Sequence, residues 1–140
     1  MTNNIVIVKE AMQVLLPHIA RYITDEFKSS FSNKWKQVVY DTVSDSSRES
    51  LSMDQSDKDF IDSVDLSGYL RCFDQNWNNI FRLKLSMDYR NWAKELMGIR
   101  NKVAHSGSKD FSEDDTWRAL DTIARLCDAF DDLVAEQIRG

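Results

Sequence analysis

Arg100, Asn101 and His105 fall close together in the stretch GIRNKVAHSG, residues 98–107. His105 is one of only 2 histidines in the chain. An arginine and a histidine at this spacing can form a catalytic pair around a phosphate. The plainer reading is a helix that finishes in basic residues, with Arg100, Lys102 and His105 facing the carbonyls a helix leaves unsatisfied at its C-terminus. Spacing alone leaves both readings open.

Other chemistry-bearing residues offer less. His18 follows Pro17 in an apolar pattern and reads as a surface or half-buried side chain. Two histidines without a cysteine cluster do not make a zinc site, so no metal and no cofactor are expected. Glu113, Asp114 and Asp115 are explained as first-turn charges of a helix. Gly68, Gly98, Gly107 and Gly140 are too scattered for a phosphate-cradling loop. Ser106 and Ser108 flank His105, but no acid lies in the local context a serine hydrolase needs. Cys72 and Cys127 sit among apolar residues and read as buried free thiols. Trp77 and Trp117 fall on core stripes, which argues against base stacking.

A helix turns ~100° per residue. Trp92, Leu96, Ile99 and Val103 then cluster on one side. Gly98, Asn101 and a helical His105 lie roughly opposite, joined by Lys94. Glycine inside a helix costs about 1 kcal/mol against alanine, which makes sense if another backbone comes close. Arg100 and His105 would point ~140° apart on a regular helix and would not easily meet at one phosphate. Their convergence requires a helix ending before His105, or a second copy of the chain facing the first. A two-fold dimer through the face bearing Gly98, Asn101 and His105 would place two arginines and two histidines around one cleft.

The surrounding elements read as helices. Ile5, Val8, Met12, Leu15, Leu16, Ile19, Ile23 and Phe27 trace one helical face over residues 4–28, with a kink or break expected at Pro17, near Leu16. Ser32 can cap a second helix carrying Trp35, Val38, Val39 and Val43. Residues 44–59, SDSSRESLSMDQSDKD, hold little to bury and predict a mobile Ser/Asp-rich surface loop. Asp65 or Ser67 can cap a helix carrying Leu66, Tyr69, Leu70, Phe73, Trp77, Ile80 and Phe81. Ser86 can cap the helix that carries Arg100 and His105, with Asp88 in its first turn and Gly107 where a left-handed residue would end it. Ser112 opens a last helix whose apolar face takes in Trp117, Leu120, Ile123, Ala124, Cys127, Phe130, Leu133 and Val134. The expected fold is an all-α bundle of four to five helices with an up-down core.

Bulk properties set the outer limits. A chain of 140 residues with 42% hydrophobic and 11% aromatic residues builds one globular domain with its own core. One proline and 4 glycines argue against a many-stranded β fold. A net charge of -5 does not suit a protein that grips nucleic acid over its whole surface, though it leaves room for a local phosphate site. No apolar run approaches the ~20 residues of a bilayer span, and the N-terminus lacks a secretory pattern. A cytoplasmic location is expected.

The arginine–histidine stretch RNKVAH at 100–105 resembles the Arg-x4-6-His signature of the HEPN superfamily, with the polar Asn101 that often follows the arginine. FSEDDTWRALDTIARL at 111–126 is similar to one HEPN branch. That branch occurs in a eukaryotic RNA-surveillance endonuclease and at the N-terminus of large bacterial ATPase or helicase-like proteins, several linked to phage defence. DLSGYL and NWNNIF, within 65–81, and VKEAMQVLLPHIARYITDEF at 8–27 resemble it too. The likeness covers the single domain 1–140 except the Ser-rich loop. Val103 departs from it, standing where this branch has a larger aromatic. Both one domain of a longer protein and a stand-alone version fit the pattern.

The resemblance implies a HEPN-like bundle that dimerises side by side. Active members of the superfamily are metal-independent endoribonucleases: the 2′-hydroxyl attacks the adjacent phosphorus and leaves a 2′,3′-cyclic phosphate. His105 would be the acid or base, since imidazole titrates near neutrality. Arg100 would hold the phosphate and stabilise transition-state charge. Asn101 would orient the histidine or a phosphate oxygen. Lys102 and Lys109, with Lys94 and Arg118, are candidates for a basic rim that receives RNA. The alternative is a non-catalytic HEPN module that dimerises or docks RNA for an attached or partner ATPase/helicase. An antitoxin-like partner is a further expectation.

Overall fold

The longest apolar stripe builds the longest helix. In the computed structural model, which describes residues 3–105, 109–130 and 138, α1 spans Asn4–Phe31. Val8, Leu15, Ile19, Ile23 and Phe27 on its inner face are fully buried. Of the kink or break expected near Leu16, the break is absent: the helix is continuous through Pro17. Pro17 lies on the exposed side, and the buried stripe continues past it at unchanged spacing. The packing of that stripe outweighs the one backbone hydrogen bond that proline removes.

Ser32 does not cap the second helix as expected. It ends α1 with φ 52° and opens a 3-10 turn, Ser32–Lys34, before α2 (Trp35–Thr42). Trp35 and Val39 of α2 are buried.

The 44–59 stretch, expected as a loop, is largely helical at both ends. It contains α3 (Asp45–Arg48) and the start of α4 (Asp57–Ser63). Its serines act as caps and backbone partners. Ser44 Oγ accepts from the Ser47 N–H, and Ser56 Oγ accepts from the Asp59 N–H at 3.1 Å. Ser50 Oγ donates to the Ser63 carbonyl at 3.1 Å. Leu51 and, just beyond the stretch, Phe60 anchor it in the core. A search for apolar periodicity does not register this kind of hydrogen-bonded order.

α5 spans Leu66–Gln75, and Asp65 rather than Ser67 caps it, accepting from the Gly68 N–H at 2.8 Å. A Cβ on Gly68 would lie 2.8 Å from Val64 Cγ1 and 3.2 Å from Val43 Cγ1, so a hydrogen here lets α5 close on both valines. The helix stops earlier than its apolar pattern. Trp77, Ile80 and Phe81 are buried from a turn and a 3-10 segment, with the Phe81 ring 4.6 Å from that of Phe73.

α6 spans Met87–His105 and α7 spans Glu113–Cys127. Ser112 caps α7 as expected, its Oγ accepting from the Asp115 N–H at 3.1 Å. Trp117 is not in the core: it is 66% exposed. The buried face of α7 runs through Thr116, Ala119, Ile123, Ala124, Leu126 and Cys127, which turns Trp117 outward by about one residue step of ~100°.

α1 packs on α5 and α7, and α6 packs on the same two helices, closing a four-helix core with α2 against α1 and α5. α6 runs antiparallel to both neighbours. Arg90 near its start pairs with Asp74 near the end of α5, and Arg125 near the end of α7 covers the Trp92 ring. The all-α, up-down expectation holds, with the short α3 and α4 added to the five longer helices. Leu133 and Val134 of the expected last helix, and Gly107, lie outside the described residues.

Candidate functional site

The C-terminal half of α6 positions the residues that sequence singled out. The helix continues through His105, so it does not end early enough to swing the imidazole toward Arg100. A helix that ends before His105 is therefore a route to convergence that this structure does not take.

Gly98, Asn101, Lys102 and His105 are exposed, and Arg100 is half-buried. Gly98, Asn101, Lys102 and His105 line a groove of about 670 Å³, closed on its other side by Lys109, Asp110, Phe111 and Asp115. Arg100 faces elsewhere. It lines a groove of about 250 Å³ between α5 and α6 with Arg71, Ser67 and Met97. Asn101 borders both grooves. Within one chain, the geometry therefore joins Asn101 to His105 on one side and to Arg100 on the other. The side chains of Arg100, Asn101 and His105 make no hydrogen bond or ion pair among the described residues.

The basic rim separates into two classes. Lys102 and Lys109 border the His105 groove. Lys94 lies 4.0 Å from Asp74, and Arg118 pairs closely with Glu95, so both are engaged by acids. Two carboxylates share the His105 groove with the lysines. Asp110 is already committed: its oxygens accept from the Asn4 and Ile5 N–H groups at 3.1 and 2.8 Å, capping α1. Desolvation raises its pKa, but the backbone N–H groups of Ile5, Asn4 and Phe111 outweigh it and hold the carboxyl below its ordinary range. Asn4 Nδ2 also donates to the Phe111 carbonyl at 2.9 Å. The strand of chain that forms one wall of the groove is thus clipped to the start of α1.

Apart from its own helix backbone and chain neighbours, no described residue has an atom within 4 Å of where a Cβ on Gly98 would lie. Nothing among the described residues requires glycine there, and the helix surface beside Asn101 is bare backbone. Sequence reasoning missed the Asp110 clip and the Arg71 groove, since both depend on residues far apart in the chain. Ser106 and Ser108 lie outside the described residues. Among the described residues, no cluster of His, Cys, Asp and Glu can hold a metal ion, and no helix is long and apolar enough to cross a membrane.

The family model described as Swt1-like HEPN matches residues 10–131. No curated protein and no solved structure matches the chain.

Proposed function

The chain belongs to the Swt1-like HEPN family, and on that premise we propose that it is a ribonuclease-type HEPN domain acting as a dimer on RNA. The observation that carries this reading is the groove that brings exposed Asn101 and His105 together with Lys102 and Lys109, beside the bare backbone of Gly98. A two-fold partner seated on that bare surface would bring its own α6 against the first. The Arg100 of one chain could then face the His105 of the other, which a single chain does not achieve.

In the proposed reaction the ribose 2′-oxygen attacks the adjacent phosphorus and the bond from phosphorus to the 5′-oxygen breaks. A 2′,3′-cyclic phosphate and a 5′-hydroxyl result. His105 takes the 2′-hydroxyl proton or supplies one to the leaving 5′-oxygen. Arg100 stabilises the charge that builds on the phosphoryl oxygens, and Asn101 orients the imidazole or a phosphate oxygen. Lys102 and Lys109 draw the RNA backbone into the groove. The chemistry needs no metal ion.

A second reading has its own support. Arg100 and His105 line different grooves in one chain, and the net charge is -5. Both suit a module that dimerises or docks RNA for an attached or partner ATPase/helicase without cleaving it. Incubating the purified chain with a structured RNA in EDTA separates the two. Cyclic-phosphate products that disappear in His105→Ala are expected; intact RNA with a stable dimer would favour docking alone.

A further inference from the structure

Building on the reading of this chain as an RNA-handling HEPN domain, we propose that the groove between α5 and α6 is a second phosphate subsite, in which Ser67 and Arg71 bind the phosphodiester adjacent to the one gripped by Arg100. The groove holds about 250 Å³ and lies across Asn101 from His105. Ser67 and Arg71 are one turn apart on α5 and share a face. Arg100 and Asn101 enter the groove from α6.

Arg71 is prepared for an anion. Its Nε donates to the Thr42 carbonyl at 2.6 Å, which fixes the plane of the guanidinium. Its two terminal amino groups have no partner among the described residues. A guanidinium held by one edge presents the other as a rigid fork, and that fork matches two phosphate oxygens. Ser67 Oγ, half-buried beside it, also has no partner among the described residues.

Charge makes the same point. Arg48, Arg90, Arg118 and Arg125 each pair with a carboxylate. Arg71 and Arg100 line one small groove, and neither has a carboxylate partner among the described residues. The carboxylate of nearby Asp65 is already engaged, by Ser47 Oγ at 3.2 and 3.3 Å and by the Gly68 N–H at 2.8 Å. A polyanion fits better than a single carboxylate or phosphate, because Asn101 joins this groove to the one lined by Lys102 and Lys109. A strand laid across Asn101 would place phosphates on both sides of it.

The test is fluorescence anisotropy of the full chain with a single-stranded RNA whose 2′-hydroxyls are methylated, which binds without being cut. Titrations run over a range of salt concentrations, with folding checked by circular dichroism. Arg71→Ala should weaken binding about five- to tenfold at physiological salt and reduce the salt slope by about 0.7, the loss of one phosphate contact on a single strand. Arg71→Lys should retain the slope but bind more weakly than wild type, because the fork is lost. Ser67→Ala should weaken binding two- to threefold, and Arg82→Ala, outside both grooves, should not change it. If Arg71→Ala does not fold, Arg71→Lys and Ser67→Ala carry the test. Wild-type affinity in the groove variants, or no binding by the wild type, overturns the subsite. Binding that depends on Arg71 in a protein that never cleaves RNA supports the subsite and removes only the ribonuclease reading. Cleavage with affinity indifferent to Arg71 does the reverse.

Discussion

Asp110 shows how one side chain serves both fold and site. Its carboxylate caps α1 from a distant part of the sequence while forming part of the wall opposite His105. Because folding lowers its pKa, the stability it contributes is present above the unfolded value and is lost as pH falls through the folded one. Asp110→Ala should therefore lower Tm at pH 7, and the gap from wild type should close as pH drops from about 5 towards 2. Thermal melts across that range check this; a gap independent of pH would contradict it. Cys72 makes a second case. Burial pushes its thiol up to about 12, so almost no thiolate forms at pH 8. Iodoacetamide should leave Cys72 unmodified in the native chain and label it in denaturant, as read by mass spectrometry. The buried thiols were legible in the sequence, from their apolar neighbours. The Asp110 clip was not, because it joins residues 105 apart and leaves no periodic trace.

Helices are where glycine and serine decide direction. Gly68 and Gly98 are both helical, and alanine should have opposite effects at the two. At Gly68 the new methyl meets Val64 Cγ1 at 2.8 Å, so Gly68→Ala should destabilise by about 1–3 kcal/mol through overpacking. At Gly98 it meets nothing among the described residues, so Gly98→Ala should stabilise the monomer by about 1 kcal/mol from helix propensity. If α6 is the dimer face, the same variant should loosen the dimer. Denaturant melts and analytical ultracentrifugation separate the two effects. Ser32 sits at φ 52°, a region costly for a residue with a Cβ. Ser32→Gly should stabilise by roughly 1 kcal/mol, and a lower Tm would show that the serine is required there. The α1 stripe, the Ser112 cap and the helical arginine–histidine segment were all legible, because periodicity and capping chemistry are local signals. The helical order in 44–59 was not, since its serines are ordered by hydrogen bonds to backbone and side chains, which leave no apolar period. Trp117 misled the pattern because a large aromatic one step off the stripe looks like part of it.

At the scale of the whole molecule, the bundle brings the candidate residues to one end of α6 without uniting them. His105 and Asn101 meet Lys102 and Lys109 in one groove, while Arg100 joins Arg71 in another. The type and spacing of Arg100, Asn101 and His105 were readable in the sequence, and so was their divergence on one helix. The partition of the basic rim was not, because it depends on which acids α5 and α6 bring within reach of Lys94 and Arg118. A divergent pair becomes an active site only if two chains share it. The direct test mixes two inactive variants, Arg100→Ala and His105→Ala, after reversible dissociation, and measures cyclic-phosphate release from RNA in EDTA. In a heterodimer one composite site regains both side chains, so the mixture should recover up to about a quarter of wild-type activity. A mixture no more active than either variant alone, beside an active wild type, would contradict the shared site.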